Sequence, residues 1–531
     1  MSEAYSDKMR AERPLVPGLT IVSFAMVVAL FIAVRCWNLT ASCLWFDEIF
    51  SVHAARHAWT DMLRFVAADI IHPPLFYALL KVWIAIGGES LLWLRLFPAL
   101  TSMATMFPFL LLCREFRLRP WEMNLALLLL AVNGYLIKYA QEVRMYSLLL
   151  FLSLCSLLLF VRLFRSDDTS RKQLITLCIV NLLLVYTHYA GWLVIALQLI
   201  ALLLWRRVKL GAFLITVAAL LLAYIPWLYE IAAGRESGKG LSQNIGWVTR
   251  PHAGDLAQYF TLLNRPFLSI QSSASALYDP LTLCLAVLVF GIPLMIFALR
   301  VTRSGLNEDG ELAIIVRLLF LFSLGPVLSV FLVSWLLPYS IWGTRHLIIA
   351  AAPYSILFVL ALRTLRPYWT RVALFFILGC WFLLAGLILL ISRPPVFIWC
   401  AWGELAPQVM NYESSSSQVV DIYAFEDLVA YHLWFALNAA PNSRIRVNVV
   451  KNVPGLTEDR AYFLPRRFTD IAVWNQFPSS QDHFWVAFRA AEWDETRPPL
   501  NELEKMGYRV GKVISKKTQG QQAFLVQILR N

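Results

Sequence analysis

Long apolar runs separated by short polar connections fill the first 392 residues of the chain. They lie at 17–36, 95–113, 121–138, 146–163, 173–188, 190–205, 210–232, 281–300, 314–337, 347–363 and 372–392. As helices, runs of this kind suit a hydrocarbon core of roughly 30 Å, so about eleven membrane spans are expected. After residue 392 the pattern changes. Alternation in "QVVDIYAF", "RIRVNVV" and "HFWVAFR" predicts strands, "EDLVAYHLWFAL" a helix, and "NELEKMGYRVGKVISKK" a helix running into a strand. The expected fold is a polytopic α-helical membrane protein over 1–392 followed by a small α/β domain over 393–531. Composition agrees, because 59% hydrophobic and 15% charged residues with a mean hydropathy of +0.62 exclude a soluble chain of this length. The first run is too long for the core of a signal peptide, and Arg35 and Asn38 precede the small residues Thr40 to Cys43, so it reads as a retained helix.

A net charge of +12 suggests a polyanionic partner until its distribution is read. Lys8, Arg10 and Arg13 precede the first span, and Arg114, Arg117 and Arg119 follow the second. Further clusters come at Arg162, Arg165, Arg171 and Lys172, at Arg206, Arg207 and Lys209, at Arg300, Arg303 and Arg317, and at Arg363, Arg366 and Arg371. Every second connection is basic, which is the positive-inside pattern and puts the N-terminus and these loops in the cytoplasm. The basic residues orient the protein; no nucleic-acid partner is expected. The piece "HPPLFYALLKVWIAIGG" (72–88) is short for a span and carries Lys81. Residues 37–94 are therefore read as an outer loop with helices along the membrane surface, anchored by Trp45, Trp59, Trp83 and Trp93. An odd number of spans then places the C-terminal domain outside as well.

This topology gathers the remaining polar clusters. "FDE" (46–48), "HPP" (72–74), "KYAQEVRMY" (138–146), "THYAGW" (187–192) and "GTRH" (343–346) all fall at outer ends of spans. A transporter would more often carry ionisable groups near mid-bilayer and show inverted repeats with broken helices; a site on one face suits an enzyme fed from the membrane plane and from the aqueous side. Of eight cysteines, Cys36, Cys43 and Cys400 lie near the outer side, where a bridge among them is open, and no CxxC or Cys/His metal spacing occurs.

Taken in order, the carboxylate pair Asp47 and Glu48, "HPPLFYALLKVW", "GESLLWLRLFPAL", "QEVRMYSLLLFL", "YTHYAGWL" and "WGTRHLIIAAP" resemble GT-C glycosyltransferases of the family 39 type over residues 15 to 365. That group takes in protein O-mannosyltransferases, the aminoarabinose transferase of lipid A and lipid A core galacturonosyltransferase-like enzymes. The resemblance implies inverting transfer of a sugar from a polyprenyl monophosphate to an acceptor hydroxyl on lipid A, an envelope polysaccharide or a protein, at the periplasmic face of a bacterial cytoplasmic membrane. The chemistry needs a base for the incoming hydroxyl and positive charge for the departing phosphate, but no acid.

By this resemblance Asp47 is the base, with Glu48 beside it to orient the acceptor or help hold a cation. Arg345 is the phosphate ligand, its fork of donors matching phosphate, with Lys138 and Arg144 ranked behind it. His72, Glu142, His188, Tyr189 and His346 complete the substrate-binding set, with structural roles for His72 and His188 and an ion pair for Glu142 left open. Glu48, Glu142, His72 and His188 are residue types that bind divalent cations, so a divalent cation remains open as a cofactor. The same cationic pocket would serve a lipid-linked sugar flippase, which would not need Asp47. If the sidedness is right, a reporter fused after Arg119 is active only in the cytoplasm and one fused at Gly403 only outside; cytoplasmic activity at Gly403 would overturn it.

Overall fold

The computed structural model describes residues 17–235, 244–267, 279–303, 310–392, 396–415, 419–438, 444–456, 462–477 and 481–531. Lys8, Arg10, Arg13 and the expected boundary at 393 lie outside them. Among the described residues seven helices are long and apolar enough to cross a membrane: Leu91–Glu115, Tyr146–Arg165, Arg207–Ala233, Pro280–Arg303, Leu312–Leu336, Thr344–Thr364 and Tyr368–Ile391. The other four expected runs are helical too, at Pro17–Cys36, Pro120–Val132, Arg171–Thr187 and Ala190–Trp205. The run expected over 121–138 is broken at Asn133. Its side chain accepts from Leu136 N–H and donates to the Leu263 carbonyl, so a second short helix, Gly134–Ala140, starts there. The outermost helix, Tyr368–Ile391, leaves Phe376, Leu383 and Ile391 exposed, as a lipid-facing surface requires.

Residues 37–94, the expected outer loop, form three helices, Phe46–Arg56, Trp59–Asp69 and Leu75–Gly87. Trp83 and Trp93, two of the expected membrane anchors, stack on one another with ring centroids 4.3 Å apart. Each indole N–H donates to the other's backbone carbonyl, at 2.8 and 2.9 Å. A Cβ on Gly87 would lie 2.1 Å from the Trp93 ring, so this turn requires glycine.

The C-terminal domain carries a six-stranded sheet of β1 (Val420–Ala424), β2 (Ile445–Val450), β3 (Ala472–Trp474), β4 (His483–Ala490), β5 (Tyr508–Lys517) and β6 (Gln522–Arg530), in the order β3-β2-β1-β4-β6-β5. Strands β3, β2, β1 and β4 run parallel; β6 and β5 complete the sheet antiparallel. β1, β2, β4 and β5 fall where alternation predicts them. β6 was not expected, because its core "AFLVQI" is an almost unbroken apolar run, buried along its length, that gives no period-two signal.

This domain is joined to the outer loop by a disulfide between Cys43 and Cys400, whose Cα atoms are 5.4 Å apart. Cys36, the third outer cysteine, is free. Beside the disulfide, His53 shares a hydrogen bond of 2.9 Å with the Tyr431 hydroxyl, and Phe46 packs against Tyr431 and Tyr462. The hydrophobic core runs without interruption from the helical part into the sheet domain.

Candidate functional site

All ten site residues expected from the sequence line one cavity of about 1310 Å³ between the outer loop, the span ends and the C-terminal domain. Its chemistry begins at the first turn of helix Phe46–Arg56. The Glu48 carboxylate accepts from Trp45 N–H at 3.0 Å, closing the helix start. It also accepts from Val143 N–H at 2.8 Å and pairs with the Arg95 guanidinium at 3.2 Å. Arg95, fully buried, donates in addition to the carbonyls of Leu39, Ser42 and Cys43. Glu48 is itself fully buried. The expectation that it orients the acceptor or holds a cation is therefore corrected: its oxygens are occupied by the protein's own donors.

Asp47, one position earlier, faces the other way. Its Oδ2 accepts from Arg345 Nη1 at 3.1 Å, and both side chains stay about three-tenths exposed to the cavity. Arg345 stands on the tight helical turn Thr344–Ala350, where the Tyr135 hydroxyl donates to the Thr344 carbonyl. A Cβ on Gly343 would come within 2.9 Å of the His346 ring, so glycine lets that ring lie flat against the backbone.

Arg144 is buried and binds the backbone and the next turn of the Asp47 helix. Its Nη1 donates to the Asp47 carbonyl at 3.1 Å and to the hydroxyls of Ser51 and Tyr77. Its Nη2 donates to His72 Nδ1 at 3.3 Å. Because a guanidinium can only donate, His72 Nδ1 carries the lone pair and Nε2 the proton. Burial and the neighbouring Arg144 charge hold this imidazole well below its ordinary pKa, so it is neutral. His188 Nδ1 accepts from Ala190 N–H at 2.9 Å, which fixes the same tautomer. The rings form a row, His72 to His188 at 5.3 Å and His188 to His346 at 4.9 Å between centroids. Tyr189, expected to line sugar or lipid, reaches the cavity but its hydroxyl donates to the Ile70 carbonyl at 3.0 Å.

Glu142 and Lys138 line the same wall. Burial pushes the Glu142 carboxyl up to about 7, against the pull of Lys138. The four residues weighed as ligands for a divalent cation do not converge; among the described residues no three His, Cys, Asp or Glu side chains come together to hold a metal.

The architecture around this cavity matches solved proteins. The crystal structure of ArnT from Cupriavidus metallidurans bound to undecaprenyl phosphate aligns with a TM-score of 0.56 over 96% of this chain and 98% of that one, at 11% identity. Its apo form aligns at 0.55 with 14% identity over the same shares. The chain has the GT-C fold. No family model and no curated protein matches it by sequence. Within this GT-C frame the ten residues come from five separate segments, and the cavity they line is closed on one side by the C-terminal domain.

Three polar residues of the site carry no warning in sequence. Arg95 lies in the apolar stretch "LLWLRLFPAL" and reads as a span-end arginine. Asp69 ends helix Trp59–Asp69 and lines the cavity, with its carboxyl pushed up to about 6 by burial. Asn244 donates to the Asp69 backbone and side chain from far along the chain. Only a strained neighbour, Ile70, whose φ is +68°, marks this corner, and that is visible in the backbone alone.

Glu142 gives a pH test. Its folded value of about 7 lies above the ordinary 4.5, so the folded state prefers the protonated acid. The sign is therefore fixed: stability is unaffected below the ordinary value of 4.5, declines as pH rises from there to about 7, and levels off above it. Glu142→Gln, a mimic of the protonated form, is expected to raise the melting temperature above wild type at about pH 8 and leave it unchanged at about pH 4. Melting curves across pH check this; an equal shift at both ends would remove Glu142 as the cause.

Proposed function

We propose that the chain is an inverting glycosyltransferase that moves a sugar from a polyprenyl-phosphate-linked donor to an acceptor hydroxyl of a lipid A, envelope polysaccharide or protein, on the periplasmic face of a bacterial cytoplasmic membrane. The observation that carries it is the Asp47–Arg345 pair at 3.1 Å, a carboxylate and a guanidinium sharing one cavity wall. These are the two groups that displacement at an anomeric carbon needs. The ArnT structure with undecaprenyl phosphate supports the donor class, and a disulfide at the mouth of the site supports an oxidising, outer location.

In this reading Asp47 Oδ2 takes the proton of the acceptor hydroxyl as its oxygen bonds to the anomeric carbon. The bond from that carbon to the phosphate oxygen breaks on the opposite face, and the electron pair leaves with the phosphate. Arg345 stabilises the growing negative charge, assisted by Lys138 and Arg144. The ion pair adds a coupling: a donor phosphate that recruits Arg345 releases Asp47, so the base is freed only when the leaving group is in place. His72 and His188 present neutral N–H donors to sugar or phosphate oxygens, with His346, Glu142 and Tyr189 on the adjoining walls. Glu48 acts as a positioning residue that holds the first helical turn.

Asp47→Asn keeps the shape but removes the proton acceptor, and a general base is typically worth about 10² to 10⁴ in rate. The variant is expected to insert and to bind undecaprenyl phosphate while losing transfer by that factor. Transfer at near wild-type rate would refute the assignment of Asp47; lipid translocation that survives while no transfer can be found in wild type would favour a flippase. Arg345→Ala removes a charge-assisted hydrogen bond of about 1.5 to 3 kcal/mol. Undecaprenyl phosphate should then bind roughly ten- to a hundredfold more weakly, as titration of purified protein would measure.

A further inference from the structure

We infer that the C-terminal domain is a working part of the site, because Arg466 clamps the strained corner 68–72, where helix Trp59–Asp69 ends and which carries Asp69 and His72 into the cavity. Arg466 is buried, and its Nη1 donates to the Ala68 carbonyl at 2.8 Å. Its Nη2 donates to Asn244 Oδ1. The Asn244 amide passes the connection on, donating to the Asp69 carbonyl at 2.7 Å and to Asp69 Oδ1 at 3.1 Å. The next carbonyl, that of Ile70, accepts from the Tyr189 hydroxyl, and His72 Nδ1 accepts from Arg144. Four of the five residues of this corner are thus held from four distant parts of the chain.

The loop needs this many holds because of Ile70. A β-branched residue at φ +68° brings its side chain against its own backbone, a conformation that persists only where the surroundings over-determine it. Relaxing Ile70 would rotate the chain after it against the chain before it and so change the placement of His72 relative to Asp69, since they lie on either side of it. The burial that raises the Asp69 carboxyl to about 6 depends on the same closure. Residues next to Arg466 share the work: Tyr462, Phe463 and Pro465 line the cavity, and Tyr462 packs on Phe46, the neighbour of Asp47. Arg466 is a positioning residue; it acts on the cavity through Ala68, Asn244 and Asp69.

The consequence for ligand binding rests on the glycosyltransferase reading, but the clamp does not, so two readouts are needed. Amide hydrogen exchange over 66–74 is measured on the full chain in lipid nanodiscs, for wild type, Arg466→Ala and Arg466→Ala with Ile70→Gly. Undecaprenyl phosphate is then titrated into each. Arg466→Ala should speed exchange in 66–74 about tenfold, as expected when a local closing interaction is lost, and weaken undecaprenyl phosphate binding by roughly tenfold. Adding Ile70→Gly, which makes the left-handed conformation free of side-chain strain, should recover most of the affinity; a merely structural arginine would not be rescued by a glycine elsewhere. Asn244→Ala should reproduce the effect if Arg466→Ala does not fold. Unchanged exchange over 66–74 in the Arg466 and Asn244 variants, or a glycine that rescues nothing, would overturn the clamp. Wild-type protein that fails to bind undecaprenyl phosphate would count against the donor assignment, while the exchange data would still decide the clamp.

Discussion

The buried Arg95–Glu48 pair is the constraint on which the site depends. A guanidinium and a carboxylate with no exposure to solvent cost free energy to desolvate, and hydrogen bonds to the surrounding protein offset that cost. Here the partners are backbone groups of three segments: the carbonyls of Leu39, Ser42 and Cys43, and the N–H groups of Trp45 and Val143. The pair therefore does what a salt bridge between two side chains alone would not. It fixes the turn before the Asp47 helix, the start of that helix, and the 141–145 segment that brings Glu142 and Arg144. Gln141 adds to it by donating to the Trp37 carbonyl at 2.8 Å, tying the same segment to the end of the first helix.

Two functional consequences follow from where this knot lies. Asp47 is left as the carboxylate free to face the cavity, in reach of Arg345, because its neighbour is used for support. Cys43, whose carbonyl binds Arg95, is also the residue bridged to Cys400. The mechanical path from the knot thus leads directly into helix Ile398–Tyr412 and the sheet domain. Together with the His53–Tyr431 hydrogen bond and the Arg466 contacts, it makes the C-terminal domain a wall of the cavity and not an appendage.

The cavity itself combines two environments. Toward helix Glu311–Leu336 it is apolar, with Val330 and Val333 at its surface, and suits a polyprenyl chain. Toward the outer loop it holds the charged pair and the row of neutral imidazoles. A substrate that is half hydrocarbon and half sugar phosphate would lie across that boundary, with its reacting carbon near Asp47. Neutral histidines fit such a place, since they donate hydrogen bonds without adding charge beside Arg144 and Arg345.

Much of the site was legible in the sequence for an energetic reason. Ionisable residues at membrane-span ends are expensive unless they have a use, so the few outside the basic loops marked the cavity, and the structure brings all ten of them to one wall or another of it. The positions of the apolar helices and of most strands were legible because period and length are local properties. The division of labour between Asp47 and Glu48 was not, because adjacent residues on a helix point about 100° apart and the sequence does not say which direction is inward. Nor was the tryptophan pair, because nothing local says that the turn at Gly87 and Gly88 folds the Trp83 and Trp93 rings onto one another. What the chain determined by itself is the membrane fold, the location of its chemistry at one set of helix ends, and an α/β domain after them. What only the tertiary structure decided is which carboxylate is free, which cysteines join, and that Arg466 closes on Ala68 across 398 residues, since such contacts are set by packing in three dimensions and leave no periodic trace along the chain.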